Sequence, residues 1–250
     1  MAIQDDLEKQ GKWLLKYGNA ALLFILLVLL IILVAIYETA PDRFYLRQSG
    51  SKNLYQYLCI LCSLFGLAIR VAAVGHTPIK PHSPGVKGPA MEKHFTTGLY
   101  SIMRHPKLVA HFFIFLGPVL VSGKVWHIFF YILVFYLYNE RIMFARESIL
   151  INKFGFRYSR WAEKVPAIIP NIYLYRKPEL PFNLKKVVLQ ETGHLAAIFI
   201  IFSALDILIE LFNEKKIGHN FPLLLTSCIV AVLYLILKVP AVIKRMGWKI

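Results

Sequence analysis

Arg104-His105-Pro106 sets a guanidinium, an imidazole and a helix-starting ring in consecutive positions, directly before the apolar run Leu108–Ser122. Proline suits the first turn of a helix, where its missing N–H would lack a partner in any case. A helix starting there turns its positive end toward the residues just before it, a ready site for a carboxylate or phosphate. Arg104 adds a bidentate donor, and His105 a neutral donor or acceptor. Gly98 and Tyr100 precede them and Lys107 follows. A second polar block begins at Asn139-Glu140-Arg141 and runs through Arg146-Glu147, Phe154-Gly155 and Tyr158 to Val165-Pro166 and Ile169-Pro170. On one helix Glu140 and Glu147 share a face, with Arg141 beside it. A carboxylate there can hold hydroxyls or an amino group, and an arginine an anionic head group. The plainer role for both blocks is structural: an interfacial anchor that snorkels to lipid phosphate, and a salt-bridged helix whose exposed pairs contribute only ~0–1 kcal/mol.

Apolar elements must position these blocks. The 250-residue chain is 57% hydrophobic and 17% charged, against about 45–50% and about 25% in ordinary globular chains. The excess lies in stretches close to the ~20 residues that cross a ~30 Å hydrocarbon core. These are Ala20–Tyr37, Leu54–Val74 with Arg70 as its single charge, the pair Leu108–Ser122 and Val125–Tyr138, His194–Phe212, and Phe221–Leu237. The expected fold is an all-α integral membrane bundle of about six helices, the middle two a short hairpin between the polar blocks. It divides into N-terminal membrane helices (1–75), a core (76–180) and a C-terminal helix pair (181–250). Gly75–Phe95, rich in Pro, Gly and His, is expected to be a flap over the site. Phe154-Gly155 fits a helix stop, Tyr158–Lys164 a further helical turn, and 171–190 a linker at the membrane surface. Ala20–Tyr37 follows acidic residues and precedes no small-residue cleavage site, so it reads as a retained anchor rather than a signal peptide.

Charge sets the expected orientation. Most of the 29 lysines and arginines fall on one side of a six-span chain, and the other side holds only Arg43, Arg47, Lys52, Lys124, Lys215 and Lys216. The richer side is cytoplasmic by the positive-inside rule, with both termini and both polar blocks. The net charge of +15 is then explained by attraction to anionic lipid, about 1 kcal/mol per basic residue near the surface, and no nucleic-acid motif accompanies it. Cys59 and Cys62, one turn apart in an apolar helix, read as packing residues. The histidines lack ligand spacing, so no metal is expected.

The pattern G-x-Y-x-x-x-R-H-P (Gly98 to Pro106), an apolar hairpin, E-R (Glu140-Arg141), an acidic-pair position (Arg146-Glu147), F-G-x-x-Y and V-P-x-x-I-P resembles the isoprenylcysteine carboxyl methyltransferase and phospholipid methyltransferase superfamily over Gly98 to Pro170. The resemblance implies a membrane enzyme that uses S-adenosylmethionine on a lipid substrate taken from the bilayer. It implies that Gly98, Tyr100, His105 and Pro106 form a cofactor-binding stretch with Glu147 near it. Arg104, with Glu140 and Arg141 of the E-R step, is the expected catalytic set at the acceptor. Arg146 stands where the family has the first acid of a Glu-Glu pair. With Arg70 and Lys107 it makes an excess of positive charge that suits an anionic acceptor. A small group of bacterial relatives resembling this chain methylates the 1-phosphate of lipid A, so an inner-membrane lipid phosphate is preferred over a prenylcysteine carboxylate or the amine of phosphatidylethanolamine. A membrane scaffold or a transporter is the non-enzymatic alternative, but no paired repeat supports the latter.

Overall fold

The computed structural model describes residues 6–16, 52–77, 96–212 and 221–245. The expected span Ala20–Tyr37, and residues 78–95 of the expected flap, lie outside the described residues. Residues 6–16 form α1. The other helices are α2 (Lys52–Gly75), α3 (Leu99–Ile102), α4 (Pro106–Leu120), α5 (Val125–Phe154), α6 (Phe156–Lys164), α7 (Leu184–Phe212) and α8 (Phe221–Arg245), with a 3-10 turn at Ile172–Leu174. Among the described residues, four stretches are long and apolar enough to cross a membrane: Leu54–Gly75, Val125–Phe154, Leu184–Leu208 and Phe221–Lys238. Pro106–Leu120 is apolar but shorter. The protein is thus a helical membrane bundle.

α2 is the central element. It packs antiparallel to α4 and to α7. Cys59, Ile60 and Leu67 of α2 meet Ile114 of α4 and Ile198 and Phe202 of α7 in one buried cluster that Leu223 of α8 closes. Cys59 is buried and Cys62 half-buried within this packing. The register against α4 is fixed by three side chains of α2. Tyr55 donates to the Leu120 carbonyl at 2.5 Å, Ser63 to the Ile114 carbonyl at 2.8 Å, and Arg70 reaches His111 at 2.7 Å. Antiparallel packing therefore brings the C-terminal end of α2 beside the start of α4, where Arg104, His105 and Lys107 stand.

Gly117-Pro118 does not interrupt α4, which runs on to Leu120. Pro118 has no N–H for the carbonyl four residues back, and that carbonyl belongs to Ile114. The Ser63 hydroxyl supplies the missing donor. Gly117 makes room for it, since a Cβ there would stand 2.0 Å from Ser63 Oγ. Ser63→Ala strands a buried carbonyl, so it is expected to destabilise the protein by about 1–2 kcal/mol. Thermal unfolding of the purified protein in detergent measures this.

α5 continues through the second polar block as one 30-residue helix, because nothing between Val125 and Phe154 breaks it. At 1.5 Å per residue it is about 45 Å long, more than a ~30 Å core. Its charged C-terminal third can project beyond the bilayer. It stops at Gly155 as expected, and α6 follows with Tyr158 fully buried.

α7 starts ten residues earlier than the apolar run His194–Phe212 indicates. Asn183 caps it, its Oδ1 accepting from the Lys186 N–H at 2.9 Å. Residues 184–190, expected as linker, are helical and pack on α2. Lys186 is buried, and its ammonium bonds the Val74 carbonyl at 3.3 Å, the Thr77 carbonyl at 3.1 Å and the Thr77 hydroxyl. It thereby sets a positive charge at the C-terminal end of α2, where the helix dipole favours one, beside the Thr77 N–H and hydroxyl that also donate to the Val74 carbonyl.

Candidate active site

The site begins with a backbone clamp. Met103 is extended between α3 and α4, and His105 caps α4 without a capping bond from its side chain. The Arg104 N–H donates to the Pro166 carbonyl at 2.9 Å, the His105 N–H to the Ala167 carbonyl at 3.1 Å, and the Asn171 N–H to the Ile102 carbonyl at 2.9 Å. Farther back, the Gly98 N–H donates to the Arg176 carbonyl at 2.9 Å, and the Arg176 N–H to Ser101 Oγ at 2.9 Å. The two sequence blocks are thus joined through their main chains. Gly98 holds φ 65°, a left-handed conformation that side-chain-bearing residues adopt at a cost of roughly 1–2 kcal/mol. Its place in this clamp is structural: it anchors α3 and does not line the cavity described next.

With the backbone fixed, the side chains of the two blocks converge. Arg104 Nη1 lies 2.7 Å and His105 Nε2 2.9 Å from the same atom, Glu147 Oε1. The residues are more than forty positions apart in the chain, and the hairpin of α4 and α5 brings them together. Tyr131 ties that hairpin, its hydroxyl donating to the Phe112 carbonyl at 2.7 Å. A carboxylate oxygen has no proton to give, so His105 Nε2 carries one and donates it. The carboxylate is thereby oriented by two donors, and the imidazole by one acceptor. Arg104 Nε is buried with no hydrogen-bond partner among the described residues.

Tyr100, Arg104, His105, Pro106, Lys107, Leu108, Arg146, Leu150, Tyr158 and Trp161 line a cavity of about 190 Å³. Its walls divide by chemistry. Tyr158 and Trp161 pack with ring centroids 5.3 Å apart and bring aromatic surface to the Arg104 side. Burial pushes the Tyr158 phenol up, as does the negative charge of Glu147, so it stays protonated. The Tyr100 phenol is pushed up by burial as well, against the pull of Arg146 and Arg70. Lys107 and Arg146 also line it, and neither has a hydrogen bond or ion pair with a described residue. The charges of Arg70 and Arg146 are both felt at the Lys107 ammonium. Two cations, from α4 and α5, therefore line the cavity, and Arg70 of α2 stands against His111 one turn along α4 from Lys107.

Most residues expected from the sequence meet here: Tyr100, Arg104, His105, Pro106, Lys107, Arg146 and Glu147, with Arg70 adjoining. Glu140 and Arg141 do not reach the cavity. They sit on α5 five to seven residues before the Arg146-Glu147 step, up to about 10 Å along the axis. Arg141 is committed elsewhere: its Nε donates to Gln10 Oε1 of α1 at 2.8 Å, and its Nη1 to the Leu137 carbonyl at 2.6 Å. α1 packs so closely there that a Cβ at Gly11 would stand 2.0 Å from the Arg141 carbonyl oxygen. Arg141 thus anchors α1 to α5, and its expected catalytic position is corrected.

Sequence reasoning missed Trp161 as a cavity wall and the stretch 165–176 as the clamp. Pro166 and Pro170 hinted at the clamp, because such a stretch resists helix formation and leaves carbonyls free to accept. It also missed Glu191 of α7, 3% exposed and 2.6 Å from Arg70 Nε. Arg70 as the single charge of its span was the available signal, since such a group needs a partner. Among the described residues no His, Cys, Asp and Glu cluster could hold a metal ion.

Comparison with known proteins adds the family. No curated protein and no solved structure matches the chain. The phospholipid methyltransferase family model matches residues 55–157, from α2 through α5 and into α6. That interval carries Arg70, the clamp at 98–105, the cations Lys107 and Arg146, and Glu147. This match to part of the chain is consistent with the isoprenylcysteine and phospholipid methyltransferase superfamily.

Proposed function

We propose that the protein is an S-adenosylmethionine-dependent methyltransferase acting on the phosphate of a membrane lipid, the 1-phosphate of lipid A being the acceptor its sequence resemblance suggests. The observation that carries this reading is that one cavity is lined both by Arg104 and His105, which Glu147 orders, and by Lys107 and Arg146, which have no hydrogen bond or ion pair with a described residue.

The residues fit the cofactor. Arg104 Nε, buried and without a described partner, is free to donate to a carboxylate, and Trp161 and Tyr158 offer π faces to a cationic sulfonium. At about 190 Å³ the cavity is smaller than the ~300–1,000 Å³ of whole-ligand pockets, so it would take the amino-acid end. S-adenosylmethionine, when bound, supplies a methyl that is already activated. The chain's own task is then positional. Glu147 holds Arg104 and His105 as two donors on one oxygen, and the backbone clamp keeps that set from shifting. Lys107 and Arg146 draw an anionic oxygen toward the same cavity, and oriented placement of this kind can lower a barrier by several kcal/mol. The aromatic walls with Leu108 and Leu150 make the rest of the lining apolar. The site end of the bundle faces the cytosol in this reading, where a soluble cofactor reaches it while the lipid arrives within a bacterial inner membrane.

The test is transfer of labelled methyl from the cofactor into isolated membranes, comparing lipid A, prenylcysteine peptides and phosphatidylethanolamine. Label in lipid A that requires Lys107 and Arg146 is the expected result. Label confined to prenylcysteine or to phosphatidylethanolamine overturns the phosphate acceptor. The matched family is described by phospholipids, which makes the phosphatidylethanolamine nitrogen the second reading.

A further inference from the structure

α7 lies outside the matched interval 55–157, yet it places a carboxylate against the cation cluster. Glu191 is buried, and its Oε2 accepts from Arg70 Nε at 2.6 Å. His194, one turn along, has Nδ1 3.4 Å from the same oxygen. Arg70 Nη1 lies 2.7 Å from His111 Nε2 on α4. A guanidinium is a rigid planar fork, so two contacts on different nitrogens fix its plane. Arg70 Nη2 has no hydrogen bond to a described residue.

The neighbouring charges show what this fixed fork faces. Arg70 Nη1 reaches His111, one turn beyond Lys107 on α4, and Lys107 lines the cavity together with Arg146. Lys186 is also near, but its ammonium is committed to Val74 and Thr77. Glu191 is the carboxylate that pairs with Arg70. Pairing Arg70 with Glu191 therefore leaves Lys107 and Arg146 in excess. Lys107 is half-buried and Arg146 exposed, and like charges gathered at one membrane face repel one another until an anion joins them. A phosphomonoester, with up to two negative charges and three acceptor oxygens, matches two free cations plus one preset guanidinium edge.

Resting on the acceptor reading above, we infer that Glu191 is a positioning residue of the lipid-phosphate subsite: it sets the Arg70 guanidinium so that Arg70, Lys107 and Arg146 together receive a phosphomonoester head group. The C-terminal helix pair is then part of the substrate site, and a chain with α2 to α6 alone lacks the group that aims Arg70.

The experiment uses the full chain, purified in detergent and offered phosphatidic acid as the phosphomonoester probe and phosphatidylcholine as the control. Retained lipid is counted by native mass spectrometry. Wild type is expected to retain phosphatidic acid in preference to phosphatidylcholine. Glu191→Gln, which keeps the shape and removes the charge, is expected to lower that retention by about tenfold, the scale of one lost charge-assisted bond. Arg70→Met, which removes the receiving group itself, is expected to lower it at least as much, and the double variant no further than Arg70→Met, because Glu191 acts through Arg70. Binding of S-adenosylhomocysteine stays at the wild-type level in Glu191→Gln, which a general loss of structure would not allow. Should Glu191→Gln fail to fold, Arg70→Lys reads the same contact from the other side, since a lysine cannot span both Glu191 and His111. Wild-type retention in the variant that folds, additive losses in the double variant, or no preference for phosphatidic acid in wild type each overturns the inference. Absence of S-adenosylhomocysteine binding in wild type instead overturns the methyltransferase reading, while lipid retention still decides the role of Glu191.

Discussion

Glu147→Ala is expected to reduce S-adenosylhomocysteine binding by about a hundredfold and to bring methyl transfer close to background, with the helical content unchanged. Glu147 Oε1 takes Arg104 Nη1 at 2.7 Å and His105 Nε2 at 2.9 Å. The His105 side chain is only 7% exposed and that of Arg104 20%. Alanine would leave a guanidinium and an imidazole donor facing each other with no acceptor between them. An unsatisfied charged group of that kind costs about 1–3 kcal/mol, and the upper part of the range corresponds to ~100-fold. The carboxylate itself is 23% exposed, so water can enter and hold the loss to that scale rather than to the larger cost of a fully buried pair. Glu147→Gln isolates the charge: it keeps an acceptor oxygen for one donor, and a loss of about tenfold is expected. Isothermal titration of S-adenosylhomocysteine measures both variants. Wild-type affinity in Glu147→Ala would remove this triad from the cofactor end of the site.

The meeting of His105 with Glu147 was legible in the sequence because each stands in a polar block at the end of an apolar arm, and a hairpin of two such arms has one way to close. The continuation of α5 through Glu140–Lys153 was legible for a similar reason, since Gly155 is the first residue there that stops a helix. Arg141 was not. Its neighbours in sequence make it look like part of the second block, but helical phase and the packing of α1 at Gly11 decide its direction, and α1 lies 131 residues away from it in the chain. The start of α7 was hidden too. Hydropathy rises only at His194, whereas the helix begins at a hydrogen-bonded cap on Asn183, a local signal that apolar content does not carry. The same shift put Lys186 and Glu191 into a bundle that composition alone assigned to a surface linker. Ser63 illustrates the limit at finer scale: a serine in an apolar span looks neutral until Pro118 on another helix leaves a carbonyl for it to satisfy.

Arg146→Glu is expected to reverse the preference of the acceptor subsite. The substitution restores the acid that the superfamily pattern has before Glu147, and it replaces a cation on the cavity wall by an anion. Two unit charges about 4 Å apart interact by about 4 kcal/mol at an effective dielectric of 20, and reversing one of them changes a phosphate contact by up to twice that. The site is open enough on the Arg146 side for water and salt to screen most of this, so a drop of about a hundredfold in transfer to a phosphomonoester lipid is the expected scale. Lys107 and Arg70 remain, which keeps the loss from being complete. An amine acceptor, by contrast, gains a carboxylate partner, and transfer to phosphatidylethanolamine should rise relative to wild type. The ratio of labelled methyl in the two lipids, offered together in nanodiscs, reads the reversal directly and is insensitive to how much enzyme is active. S-adenosylhomocysteine affinity separates the two ends of the cavity. If it holds while the ratio inverts, Arg146 faces the acceptor. If affinity falls and the ratio stays, the cation serves the cofactor's carboxylate, and the anion subsite shrinks to Lys107 and the guanidinium that Glu191 holds in place.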